Sequence, residues 1–320
     1  MSQRVFGDLA IVGGTANPAL TEEVCSYLGI APAEADIFEF ANENIFCRLR
    51  ESVRGKDVFL IQTTSSPVNR NIMELLIMMD CLRRDSAGRI TAVVPYYAYS
   101  RSDKKDQPRV PITARLIADL ITVAGADRFL TVDLHTRQIQ GFFTIPVDEM
   151  TALPMFVDYF KEKDLGNAVV VSPDIGAVRR ARDFAERLNL PLAIIEKRRA
   201  LDGHGTKIFN IIGEVEGRTA IIIDDEIDQA STLTRAAEFL SDRGCREIFA
   251  CATHAILSDG APERIRDSAL SEVVVTNTVP ISPQKMEVMA GKVRVLSIGR
   301  LLGETIRRIH EGISVRELFH

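Results

Sequence analysis

Short apolar runs rich in β-branched residues recur along the chain. They alternate with stretches whose apolar positions fall three and four residues apart. In the first half the runs are "DVFLIQ" (57–62), "ITAVV" (90–94) and "FLTV" (129–132); in the second, "AVVV" (168–171), "LAII" (192–195), "AIIID" (220–224), "EIFACAT" (247–253) and "EVVVT" (272–276). The pattern predicts strands in these runs. It predicts helices in "IMELLIMMDCLRR", "ITARLIADLITVAG", "AVRRARDFAERL" and "STLTRAAEFLSDRG". Strands apolar on both faces, alternating with helices, imply α/β domains whose mainly parallel sheets are covered on both sides. Two successive sets predict two domains, 1–148 and 149–320. They join within "IPVDEMTALP" (145–154), where two prolines bracket a polar stretch. A last helix (302–312) and the tail "ISVRELFH" are expected to pack back on the first domain.

Composition narrows this picture. A chain of 320 residues, 46% hydrophobic, can bury two cores of ordinary size. A net charge of −5, with both signs interspersed, argues against a general nucleic-acid binder. Five scattered cysteines (Cys25, Cys47, Cys81, Cys245, Cys251) show no metal-ligand spacing and read as reduced thiols. No basic region followed by a long apolar run opens the sequence, and no apolar stretch is long enough to span a bilayer. The expectation is a cytoplasmic protein bound to neither membrane nor nucleic acid.

In open parallel sheets, ligands sit beyond the carboxyl ends of the strands. The unusual chemistry of this chain falls there. After "AIII" come Asp224, Asp225, Glu226 and Asp228, then the small residues Ala230, Ser231 and Thr232 at a helix start. Backbone amides at such a start suit a phosphate. The acids suit sugar hydroxyls or a divalent cation, so a sugar phosphate is the expected ligand. The competing explanation is an acidic helix cap. "DLHTRQIQGFF" (133–143) offers His135 as a metal ligand, and "SPDIGAVRRAR" (172–182) offers Asp174, an oxygen ligand of the kind Mg²⁺ takes. "YYAYSRSDKKDQPR" (96–109) and "EKRRALDGHG" (196–205) are cationic loops on the ligand side. The second, with two glycines, suits a closing lid over polyphosphate, and its charge suits an anionic transition state. Solvated charged faces are the alternative. No G-x-x-x-x-G-K-[ST] motif is present.

Taken together, "ESVRGKDVFLIQ", "DLHTRQIQGFF", "SPDIGAVRRAR", "EKRR" and "DDEIDQASTLT" resemble the ribose-phosphate diphosphokinases of the long, phosphate-regulated class, nearly end to end. The resemblance implies two tandem domains of phosphoribosyltransferase type. It implies transfer of the diphosphoryl group of ATP to the C1 hydroxyl of ribose 5-phosphate, with Mg²⁺. It places Asp224 and Asp225 on the ribose hydroxyls and Asp228, Gln229, Ala230, Ser231 and Thr232 around the 5-phosphate. Lys197 and Arg199 become the mobile-loop cations on the transferring group, and His135 and Asp174 the Mg²⁺-associated pair. Phe40, Asn42, Asn44, Arg101, Ser102 and Asp103 fall in ATP-contacting segments. Ser52, Arg54, Ser314 and Arg316 fall in the regulatory phosphate and ADP site. A dimer-based hexamer is implied, because the Phe40 segment reaches ATP in a neighbouring subunit.

Asn44, Ser102, Gln229, Ser231 and Arg316 depart from the family pattern, which has Glu, Gln, Thr, Gly and Ser there. A Cβ at position 231 is costly if φ is positive. These changes predict altered nucleotide preference, affinity or regulation more than lost chemistry. They also keep open a weakly active or inactive regulatory paralogue, and behind it a phosphoribosyltransferase.

Overall fold

The computed structural model describes residues 6–199 and 207–319. The chain divides into two compact units. The first ends at Thr151 and takes back Thr278–Pro280 and everything from Ser297 onward; the second holds Ala152–Asn277 and Ile281–Leu296.

The first unit contains β1 (Leu9–Gly13), α1 (Pro18–Leu28), β2 (Ala35–Glu39), β3 (Ile45–Leu49), β4 (Asp57–Ile61), α2 (Val68–Arg84), β5 (Arg89–Val94), α3 (Thr113–Ala124), β6 (Arg128–Val132) and β7 (Val147–Met150). A five-stranded parallel sheet runs β1-β4-β5-β6-β7. β2 and β3 form a separate antiparallel hairpin. Every residue of β4 is buried, as expected of a strand covered on both faces. Leu75, Met79 and Leu82 of α2 and Ile117 and Ile121 of α3 share a core with Val58, Leu60, Ala92 and Val94 of the sheet.

The second unit contains α4 (Leu153–Lys161), β8 (Ala168–Ser172), α5 (Val178–Leu188), β9 (Leu192–Arg199), β10 (Lys207–Ile212), β11 (Thr219–Ile227), α6 (Ser231–Asp242), β12 (Glu247–Ala255), α7 (Ala261–Asp267), β13 (Glu272–Thr276), α8 (Pro283–Val288) and β14 (Val293–Leu296). Its seven strands run β10-β9-β8-β11-β12-β13-β14, parallel except for β10. α5 shows why the helices cover the sheet. Ala181, Phe184 and Ala185 are buried, while the rest of the helix is mostly polar. α9 (Gly299–Glu311) returns to the first unit. There Tyr27 of α1 donates to Glu304 at 2.7 Å. The His310 ring and the Arg89 guanidinium both meet the buried Asp57 carboxylate.

All eight predicted strand runs are strands. The pattern alone did not predict β1, β2, β3, β7, β10 or β14, which are four to six residues long. No helix among the described residues is long and apolar enough to cross a membrane.

Candidate active site

In the second unit the chain leaves β8 toward β9 on one side, and β11 pairs with β8 on the other. The strand order therefore reverses between β8 and β11. A crevice opens at the carboxyl ends of such a pair. The segments that emerge there are 173–177 and 228–230.

The acidic segment is less of a loop than its composition suggests. Asp224, Asp225, Glu226 and Ile227 remain strand, and Glu226 lies opposite His254 of β12 in register. Asp225, Glu226 and His254 are all buried. Only 228–230 form the turn, and α6 starts at Ser231. Burial raises the Asp224 carboxyl well above its ordinary value; the adjacent Asp225 adds to this, and Asp174 from the neighbouring strand end pushes the same way. The sheet therefore brings three predicted carboxylates of this unit together. Asp174 also closes its own turn, accepting from the Ala177 amide at 3.1 Å.

The strain foreseen at Ser231 falls one residue earlier. Ser231 is helical, whereas Ala230 holds φ 59°, in the left-handed region. That region costs an L-residue about 1–2 kcal/mol. No side chain caps α6. The first amides of a helix have no intrahelical acceptor, so those of Ser231, Thr232 and Leu233 are available to an anion.

A bracing loop, missed in the sequence, supports this turn. Asp228 accepts from the Ser258 hydroxyl, and its carbonyl accepts from the Ser258 amide at 3.1 Å. Gln229 is exposed and donates from its amide to Asp259 at 3.3 Å, while its carbonyl accepts from Arg264 Nη1 at 2.8 Å. Ser258, Asp259 and Arg264 follow β12, so only the strand order places them beside the turn after β11.

Lys197 and Arg199 are on β9, in register with Phe209 and Lys207 of β10. The predicted loop after "LAII" is thus the end of an antiparallel pair. The rest of the lid, 200–205, lies outside the described residues, as do the side chains of Lys197 and Arg199.

In the first unit, the segments after β5 and β6 meet. Thr136, next to the exposed His135, donates to Asp103 at 2.8 Å. The buried Tyr97 hydroxyl donates to the Ala114 carbonyl at 2.7 Å, and the Ala114 amide donates to the Ser102 carbonyl at 3.2 Å. These bonds tie the segment bearing Arg101, Ser102 and Asp103 to the start of α3. Phe40, Asn42 and Asn44 form the hairpin tip, where the Phe40 amide donates to the Asn44 carbonyl at 2.9 Å and Asn44 N–H to Asn42 at 3.3 Å. Phe38 and Phe40, both exposed, make an aromatic trio with the half-buried Phe46, and Phe38 and Phe46 are stacked at 4.8 Å.

Ser314 and Arg316 line a cleft of about 390 Å³ with Arg137, Gln140, Asp148 and Glu149. Burial, reinforced by Asp133, raises the Glu149 carboxyl, although Gln140 donates to it. Ser52 and Arg54 do not line this cleft; the Ser52 hydroxyl donates to Asp85 at 3.1 Å.

Residues 9–125 match the N-terminal domain of ribose phosphate pyrophosphokinase, and residues 200–320 match the phosphoribosyl synthetase-associated domain. The chain is 51% identical to a ribose-phosphate pyrophosphokinase of Caldanaerobacter subterraneus subsp. tengcongensis, over 99% of both chains. It is 48% identical to that of Aquifex aeolicus, over 97% of this chain and 98% of the other. Among solved structures, the phosphoribosylpyrophosphate synthetase of Mycobacterium smegmatis superposes with a TM-score of 0.90 at 44% identity. That match covers 96% of this chain and all of the other.

Proposed function

Because the chain belongs to the ribose-phosphate pyrophosphokinase family, we propose that it transfers the diphosphoryl group of ATP to the C1 hydroxyl of ribose 5-phosphate, giving 5-phosphoribosyl 1-diphosphate and AMP. One observation carries the assignment to this site. At the strand-order reversal, an uncapped helix start preceded by a strained Ala230 stands beside the carboxylates of Asp224, Asp225 and Asp174.

The chemistry follows from that pairing. The amides of Ser231 and Thr232, with their hydroxyls, bind the 5-phosphate at the positive end of the helix dipole. Asp228 and Gln229 shape the turn from the side of β12. Asp224 and Asp225 accept hydrogen bonds from the ribose hydroxyls, which orients C1. Lys197 and Arg199 place positive charge on the transferring group; phosphoryl-type transfer depends mainly on such positioning and charge stabilisation. Phe40 stacks on adenine, with Asn42, Asn44, Arg101, Ser102 and Asp103 along the nucleotide.

Asp174, in the second unit, offers a hard oxygen donor of the kind Mg²⁺ takes, and His135, in the first unit, offers an imidazole. Among the described residues, no group of three or more His, Cys, Asp or Glu side chains forms a complete cage. Mg²⁺ usually keeps several waters and shares substrate phosphates. When bound, Mg²⁺ neutralises polyphosphate charge.

The same reading places Ser314 and Arg316, with Ser52 and Arg54, in a regulatory phosphate and ADP site, and expects a dimer-based hexamer. Five unbridged cysteines fit a reducing, cytoplasmic setting. Lys197→Ala tests the reaction. It should slow turnover far more than it weakens ribose 5-phosphate binding; equal losses in both contradict a transition-state role for Lys197.

A further inference from the structure

A two-stranded hairpin is marginal by itself, so the β2–β3 hairpin takes its position from what it packs against. Alternation divides its side chains. Ile37, Cys47 and Leu49 are partly buried against the core beneath α2. Phe38 and Phe46, directly opposite each other, face away and are continued by Phe40. Glu39 ends β2 opposite Ile45, on the same face as Ile37 and next in sequence to Phe40.

Its carboxylate accepts from Arg70 Nε, in the first turn of α2, at 3.0 Å. The other arm of that guanidinium is fixed. Arg70 Nη1 donates to Glu74 at 2.9 Å, to the Thr15 hydroxyl at 3.2 Å and to Asn71 at 3.3 Å. Glu74 is fully buried, and it also accepts from the Thr15 amide at 2.6 Å, the Thr15 hydroxyl at 2.7 Å and Gln62 at 2.9 Å. The guanidinium is planar, so pinning Nη1 also sets the direction of Nε.

We propose that Arg70 is a positioning residue for the nucleotide: anchored on buried Glu74, it holds Glu39 and thereby fixes how the hairpin tip presents Phe40. The proposal rests on the reading that Phe40 stacks on ATP. The Arg70–Glu39 pair is about one-third exposed on each side. Such pairs add little to global stability. Glu39 meets the Glu74 network through Arg70 Nε, and the Nη1 bonds to Glu74, Thr15 and Asn71 do not depend on it, so removing the Glu39 carboxylate spares the fold.

Three variants test this in the full-length enzyme: Phe40→Ala, Glu39→Ala and Glu39→Gln. Glu39→Ala should raise the KM for ATP about two- to fivefold, the range of one partly exposed ion pair. The kcat, the KM for ribose 5-phosphate and the melting temperature should stay within error. Glu39→Gln, which keeps an acceptor, should lie between Glu39→Ala and the wild type. The chain has no tryptophan, so Phe38→Trp gives a single fluorescent probe near the tip. Adding Glu39→Ala to that background should lower its anisotropy. If Phe40→Ala raises the KM for ATP but Glu39→Ala does not, the role of Arg70 is overturned and the nucleotide reading survives. If Phe40→Ala leaves the KM for ATP unchanged, the nucleotide reading fails and the positioning role fails with it.

Discussion

Arg264 Nη1 donates to the Gln229 carbonyl at 2.8 Å, and it also reaches the Asp259 carbonyl at 2.6 Å. One guanidinium thus joins the turn before α6 to the loop after β12. Arg264→Ala should loosen the phosphate-binding turn and raise the KM for ribose 5-phosphate about fivefold, the size of one ordinary hydrogen bond at an exposed position. Steady-state kinetics should show the KM for ATP unchanged.

Asp224 is held in the fold at a raised pKa, first by burial and then by Asp225 and Asp174. The folded chain therefore keeps a proton that the unfolded chain releases near pH 3.8. Stability falls as pH rises from there through the raised value, and the penalty persists above it. Asp224→Asn should remove that penalty and raise the melting temperature at neutral pH. Calorimetry should also show weaker ribose 5-phosphate binding, because one of the carboxyl's two acceptor oxygens is replaced by an amide donor. A variant that is less stable and still binds would contradict both parts.

Ala230→Gly should stabilise the protein by about 0.5–1 kcal/mol, since φ 59° costs alanine more than glycine. Ser231→Gly should give no gain, because Ser231 is already helical. Urea titrations of the two variants separate these outcomes.

Glu304 accepts from Arg307 at 2.8 Å, Arg308 at 2.7 Å and Tyr27 at 2.7 Å. The Arg307 bond leads in holding its carboxyl down, to about 2 from 4.5. A lowered acid contributes stability above its unfolded value and loses it as pH falls toward the folded one. The stability difference between wild type and Glu304→Gln should therefore shrink from pH 4.5 to about 2. Denaturation curves across that window test it.

Much of this was legible in the residues. β-Branched runs apolar on both faces announced the parallel sheets. The order of acids, small residues and helix start after "AIII" announced the turn. What escaped has physical causes. Burial on both sides makes a strand readable, so the half-exposed β2 and β3 gave only a weak signal. β9 continues through Lys197 and Arg199 because pairing with β10 keeps their backbone in a sheet despite the charge. Asp225 and Glu226 looked like loop residues, yet they are buried in β11 beside His254, also buried. Ser258 and Arg264 support the turn across a strand pairing that no local pattern encodes.

The central claim is that a whole diphosphoryl group moves from ATP to the anomeric oxygen of ribose 5-phosphate. Phosphorus NMR of the purified protein with ATP, Mg²⁺ and ribose 5-phosphate tests it most directly. The account predicts equal amounts of AMP and 5-phosphoribosyl 1-diphosphate, with the diphosphate bonded at C1. Formation of ADP with a singly phosphorylated C1, or ATP left intact, would contradict it.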